Sequence, residues 1–182
     1  MQSCATEGLV ERARAGDQEA WAALYRRAYP RLVSFAHRRL GNPDLAKDAV
    51  SETMTRAVAA IATYTRDDDG FSAWLFGICR HVIADMQRAL YRSLPERLLR
   101  HEPDPPGPAE ALLESEERAA VRAAFARLEP EEQELLELRV VAGLSSSEAA
   151  VALGKQPGAV RMAQMRALAR LRAFVEEMSH VG

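Results

Sequence analysis

From Trp21 onward, apolar residues recur at three- and four-residue steps: Trp21, Leu24, Tyr25, Ala28, Leu32, Phe35, Ala36 and Leu40. That spacing lines one side of a helix. Asp17 is placed to cap its start, and Pro30 inside the pattern predicts a kink or a break into two helices. Gly41-Asn42-Pro43 then stops this helix and starts another. Asn42 is the expected N-cap and Pro43 the first helical residue, where a missing N–H costs nothing. Ala46, Ala49, Val50, Thr53, Met54, Ala57 and Ile61 mark the inner face of this second helix. Thr65-Arg66-Asp67-Asp68-Asp69-Gly70 reads as a polar loop, after which Phe71, Trp74, Leu75, Ile78, Val82, Met86 and Ala89 line a further long helix. These helices are expected to form an N-terminal bundle over residues 1–91.

After about Tyr91 the pattern fails, and HEPDPPGP places Pro103, Pro105, Pro106 and Pro108 where neither a helix nor a sheet can continue. Residues 92–111 are therefore expected to be a flexible linker. Such a chain averages ~25 Å end to end and reaches ~60 Å when extended, so two domains joined by it can occupy separate sites. The C-terminal domain, 112–182, is expected to hold a helix from about Leu112 to Arg127, a second from Pro130 to near Gly143, and two short ones split at Leu153-Gly154. The fold class is all-α, with two helical domains.

Composition agrees with this: 48 % apolar, 27 % charged and only 6 % aromatic residues in 182, with Ala, Leu, Arg and Glu abundant. No apolar run approaches the ~20 residues needed to span a bilayer, and the N-terminal stretch has no secretory pattern, so no membrane insertion and a cytoplasmic location are expected. Cys4 and Cys79 stand far apart, and none of His37, His81, His101 or His180 is at zinc-ligand spacing from them. Inert thiols, no metal and no cofactor are expected.

The formal charge of −2 hides an uneven arrangement. From Leu112 to Glu137, Glu114, Glu116, Glu117, Glu129, Glu131, Glu132, Glu134 and Glu137 outnumber Arg118, Arg122 and Arg127. From Lys155 to Arg172 there are five basic residues and no acid. A basic stretch of that kind is often no more than a solvated helix face.

What precedes it makes it more specific. Within LSSSEAAVALG, Ser145 and Glu148 form a capping box that fixes a helix start. Gly154 allows a tight turn, and the next helix opens near Pro157. On a regular helix Val160, Ala167 and Leu171 lie inward, while Gly158, Arg161, Met162, Met165 and Ala169 lie opposite, flanked by Arg166 and Arg170. This is the pattern of a helix-turn-helix that docks a basic helix into DNA. Gln164 falls beside the inward stripe, either as a hydrogen-bonded core residue or as a side chain reaching the groove from its edge.

These residues resemble a known family, the extracytoplasmic-function subgroup of the sigma-70 factors. LEPEEQELLELRVVAGLSSSEAAVALGKQPGAVRMAQMRALARLR is similar to the family's fourth conserved region, which recognises the −35 element. DLAKDAVSETMTRAVAAI resembles the segment that binds polymerase, and FSAWLFGICRHVIADMQRAL the helix that reads and opens the −10 element. The resemblance implies that Asp48 and Glu52 are the acidic pair for polymerase binding; their spacing of four does put them on one helix face, where the plainer alternative is a solvated face. It implies that Arg80, His81, Ala84, Gln87 and Arg88 face the −10 element, with arginines largely on phosphates. Gly158, Arg161, Met162, Met165 and Arg166 would meet the −35 element. The loop over 63–70 would capture a flipped-out base, although Asp67, Asp68 and Asp69 repel phosphate.

This sequence departs from the family's usual pattern at His81, Ser51 and Val58, where asparagine, glutamine and tryptophan are common. Trp74, on the apolar stripe, reads as core rather than as a melting wedge. Asp85 falls near the same stripe, so an arginine partner is expected. The implied partners are core RNA polymerase (its clamp helices and flap), promoter DNA and an anti-sigma factor that masks both domains. Elements ~17 base pairs apart are separated by ~58 Å, which two domains and this linker can cover.

Rival readings are weaker. A stand-alone helix-turn-helix repressor or response regulator needs a dimerisation element or a phosphoacceptor domain, and neither is evident. A helical adaptor or an anti-sigma protein would not need the basic face at 155–172. An enzyme is least expected, since there is no glycine-rich phosphate loop, metal cluster or catalytic set.

Overall fold

A computed structural model describes residues 2–64, 70–93 and 116–179. In chain order the helices are α1 (Gln2–Arg14), α2 (Gln18–Leu40), α3 (Pro43–Ala60), α4 (Gly70–Ser93), α5 (Glu116–Ala126), α6 (Pro130–Leu136), α7 (Ser146–Leu153) and α8 (Pro157–Ser179). A 3₁₀ turn, Ile61–Thr63, follows α3, and a π-helical turn, Glu137–Val141, prolongs α6. The described residues contain no strand. The Asp67–Asp69 run and the proline-rich segment 101–108 lie outside the described residues.

The helix starts follow from local chemistry. Asp17 accepts backbone N–H bonds from Glu19 and Ala20, which hold its carboxyl below the usual carboxylate range together with a bond from Arg12. Asn42 does the same for Asp44 and Leu45, with Pro43 in the first turn of α3. Helix α3 buries the face read from its sequence: Ala46, Ala49, Val50, Thr53, Met54 and Ala57.

Several expectations require correction. The break at Pro30 does not occur, because α2 runs unbroken from Gln18 to Leu40, held by Leu24, Leu32, Phe35 and Ala36 on its buried face. Tyr25 is exposed and packs on Tyr29, with ring centroids 5.1 Å apart. Ala89 is exposed although the apolar pattern includes it, and α4 runs on to Ser93. The final helix is not short, and α1 was not anticipated; its Val10 and Ala13 are buried.

Helix α4 also buries a second side. Besides Phe71, Leu75 and Val82, it encloses Ala73, Phe76, Cys79 and Ile83, because α3 packs on one flank and α7 on the other. Cys79 is free, and burial pushes its thiol up to about 12 despite a bond with Thr53, so it stays protonated. Trp74 is half-buried against Tyr64 and Phe71, at 5.1 and 5.5 Å between ring centroids.

One apolar cluster therefore runs from Phe35, Phe76 and Val82 into Leu135, Leu138, Leu144 and Ala149. Side chains of the N-terminal and of the C-terminal helices meet in this cluster. A smaller cluster of Leu128, Leu136 and Ala167, backed by Phe125, Leu171 and Phe174, seats α8 on α5 and α6.

Candidate nucleic-acid interface

The C-terminal motif is built as its sequence specifies. The Ser145 hydroxyl accepts from the Glu148 N–H at 3.1 Å, and the Glu148 carboxylate accepts from the Ser145 N–H at 2.7 Å. Gly154 ends α7 in the left-handed region at φ 63°, which an L side chain rarely adopts. Helix α8 then starts at Pro157, with Val160 and Ala167 buried.

Opposite them, Gly158, Arg161, Met162, Met165 and Arg166 are all exposed. Met162 and Met165 are 53 % and 59 % accessible, an exposure that core methionines do not have. Arg170 is engaged instead, donating to Glu132 at 2.9 Å. Gln164 is half-buried, and its Oε1 accepts from Arg139 Nε at 2.8 Å. Arg139 also donates to the Leu144 carbonyl, so one guanidinium ties α8 to the turn before α7.

The candidates on α4 are distributed differently. His81, Ala84 and Arg88 are exposed, whereas Arg80 and Gln87 are half-buried. Arg88 donates to Asp85 at 2.5 Å, and Arg56 reaches the other oxygen of Asp85 at 3.0 Å. Hydrogen bonds from Arg56 and Arg88 hold the Asp85 carboxyl below its usual range, so the expected arginine partner is present in duplicate. Asp85 itself is not core, with 45 % of its side chain accessible. Gln87 donates to the Arg39 carbonyl at 2.9 Å.

Arg80 forms a bidentate pair with Glu134 on α6, at 2.9 and 3.0 Å, and donates to the Ala152 carbonyl in α7 at 2.5 Å. Arg80, His81, Ala84 and Gln87 line one small cleft, closed on its far wall by Glu134. The sequence contained no sign of that wall, since Glu134 is 54 residues away and reads there as one acid among many.

On α3, Asp48 and Glu52 are both exposed, and Glu52 accepts from Arg56 at 2.7 Å. Three surfaces thus lie on three helices: an acidic pair on α3, a partly closed polar face on α4, and an open basic and methionine face on α8.

Two family models match the chain. The Sigma-70 region 2 model matches residues 24–93, and the Sigma-70 region 4 model matches residues 118–171. The chain is 35 % identical over 180 residues to the extracytoplasmic-function sigma factor ShbA of Streptomyces griseus, covering 93 % of this chain and 94 % of that one. The chain belongs to the extracytoplasmic-function sigma factors of the sigma-70 family.

Another member of the family, BldN of Streptomyces coelicolor, is 36 % identical over 167 residues, covering 90 % of this chain. The match spans 63 % of BldN's own length. Among solved structures, CnrH in complex with the cytosolic domain of CnrY superposes with a TM-score of 0.69 at 27 % identity, covering 93 % of this chain and 96 % of that one. Family membership carries the coarse role, promoter-specific transcription initiation through RNA polymerase. Region 2 comprises α3, α4 and most of α2, and region 4 comprises α6, α7 and most of α5 and α8. No helix among the described residues is long and apolar enough to cross a membrane.

Proposed function

We propose that this sigma factor grips a promoter at two points, reading and melting the −10 element with α4 while α8 reads the −35 element. Asp48 and Glu52 on α3 anchor it to the clamp helices of core RNA polymerase, and region 4 rests on the flap. Arg80 and Arg88 neutralise phosphates near the −10 element, while His81, Ala84 and Gln87 border the bases. In the −35 duplex Arg161 and Arg166 supply hydrogen bonds, and Met162 and Met165 supply apolar contact with thymine methyl groups. Gly158 lets the start of α8 approach the backbone closely.

The observation that carries this reading is the exposed face of α8, where two methionines lie between arginines immediately after a capped helix and a glycine turn. Apolar side chains that accessible are explained by a surface that meets something, and the neighbouring cations select a polyanion. With three or four phosphate contacts the module alone binds weakly, at a log–log salt slope near about −3, so polymerase supplies the remaining affinity. The chain works without a cofactor and in the cytoplasm, where polymerase is. An anti-sigma factor is a further proposed partner, in keeping with the capture of the relative CnrH with a cytosolic domain of CnrY.

The test is to mix the full chain with sigma-free core polymerase and sequence the transcripts from a promoter library. Initiation at a common two-part element is expected. Absence of specific initiation from folded chain free of other proteins overturns the proposal.

A further inference from the structure

The α4 face proposed to meet the −10 element is partly closed by the chain itself, and its closing group is a carboxylate. Glu134 presents both oxygens to the Arg80 guanidinium, which is the fork-to-fork geometry that arginine also makes with phosphate. The two side chains are only 23 % and 17 % accessible. Around them the closure continues. Arg80 reaches the Ala152 carbonyl, Arg31 Nε donates to the Ala142 carbonyl at 2.6 Å, and the Arg31 guanidinium lies 5.6 Å from the centre of the Phe76 ring. Beneath these bonds region 4 contributes Leu135, Leu138 and Leu144 to the same apolar cluster as Phe35 and Phe76.

We propose that Glu134 is an internal phosphate surrogate: it occupies Arg80 in the free chain and latches region 4 over the DNA-reading helix until promoter and polymerase replace it. This rests on the two-point reading above, in which Arg80 is a phosphate contact. The latch is self-consistent in charge. Arg80 is satisfied in the closed chain by Glu134 and in the open chain by a phosphate, so opening on DNA leaves no buried cation behind. Opening on its own does lose the pair, which keeps the free chain closed and lowers its apparent affinity by the fraction that is open.

The experiment compares full-length wild type with Glu134→Gln and Glu134→Ala. Glu131→Ala removes the same charge from an exposed position on α6 and serves as the control. Two quantities are measured: the radius of gyration of the free chain by small-angle scattering, and its affinity for a fluorescent fork-shaped promoter probe. Losing a charge-assisted pair of this kind is expected to raise probe affinity about tenfold. Both Glu134 variants should expand and gain affinity while Glu131→Ala changes neither. Glu134→Gln keeps the volume and a hydrogen-bonding oxygen, so it reports on the latch even if the alanine variant is poorly folded.

Unchanged dimensions in Glu134→Gln overturn the latch. Equal affinity gains in Glu131→Ala and Glu134→Gln overturn it too, since the effect would then be net charge. The transcription assay with core enzyme is run beside these. Its failure with wild type overturns the two-point reading, while the scattering data, taken without DNA or polymerase, still report whether Glu134 holds the regions together.

Discussion

Arg39 on α2 and Glu137 in the π-helical turn after α6 face each other at 3.7 Å across the seam between regions 2 and 4. Glu137 is 4 % exposed, and its Oε2 has no hydrogen-bond partner among the described residues. Burial pushes its carboxyl from an ordinary 4.5 up to about 7; Arg39 and Arg38 pull it down, and Glu134 adds to the rise. The folded protein therefore prefers the protonated acid.

Stability follows from that preference. Below about 4.5 both folded and unfolded chains carry the proton, and nothing is lost. As pH rises from there to about 7 the unfolded chain releases its proton first, so stability falls through this window and levels off above it. The full penalty is roughly 3 kcal/mol. Glu137→Gln is expected to be more stable than wild type at pH 8 by about 1–3 kcal/mol and nearly equal to it at about pH 4. Thermal melts of both chains across this range check it; a difference independent of pH would mean that burial does not control this carboxyl.

The cap of α7 gives a second prediction. Ser145→Ala removes the acceptor for the Glu148 N–H and leaves the Glu148 carboxylate with half of a reciprocal pair. The expected cost is about 1 kcal/mol in urea unfolding, with Ser145→Asp restoring most of it. Because α7 sets the turn from which α8 leaves, DNA binding should weaken in parallel in the alanine variant. Equal stability of Ser145→Ala and wild type would show that packing of Ala149 and Ala150 alone fixes this helix.

Much of this was legible in the sequence because it is local. The Asn42-Pro43 start, the Ser145–Glu148 box and the apolar face of α3 each involve residues within one or two helical turns, and the structure reproduces all three. What escaped depends on distance along the chain. Phe76, Cys79 and Ile83 lie off the one-sided helix pattern, and they are buried because α2 and α3 close on α4 from one side and α7 of region 4 from the other. Glu134 and Glu137 read as solvated acids for the same reason, as their partners Arg80 and Arg39 lie 54 and 98 residues back. Pro30 does not break α2, because tertiary packing along the helix outweighs one missing backbone bond. Helix α1 had a readable signal in Leu9, Val10 and Ala13 before Gly16, with Arg12 and Arg14 in its last turn.

On α8 the proposed base reader and its neighbour can be separated. Arg161→Ala is expected to cost about 1–3 kcal/mol on the preferred −35 sequence and much less on altered ones, so discrimination falls. A phosphate contact would weaken all sequences equally and reduce the salt slope by about one. Arg166→Ala offers the comparison on the same helix face. Binding of each variant, as holoenzyme, to a panel of −35 substitutions at two salt concentrations distinguishes the two roles.

Gln164 supplies the last test, because its position beside the inward stripe allowed either a core or a groove role. Its Oε1 receives the Arg139 guanidinium at 2.8 Å, and Arg139 also holds the Leu144 carbonyl. An amide so engaged fixes the angle between α8 and the preceding turn rather than reading bases. Gln164→Ala leaves one N–H of a half-buried cation without its acceptor, at an expected cost of about 1–2 kcal/mol in stability. Binding to every −35 variant should fall by a similar factor, and Gln164→Glu, which restores an acceptor and adds charge complementarity to Arg139, should recover stability. Loss of preference at one base pair with unchanged stability in Gln164→Ala would instead place this side chain in the groove.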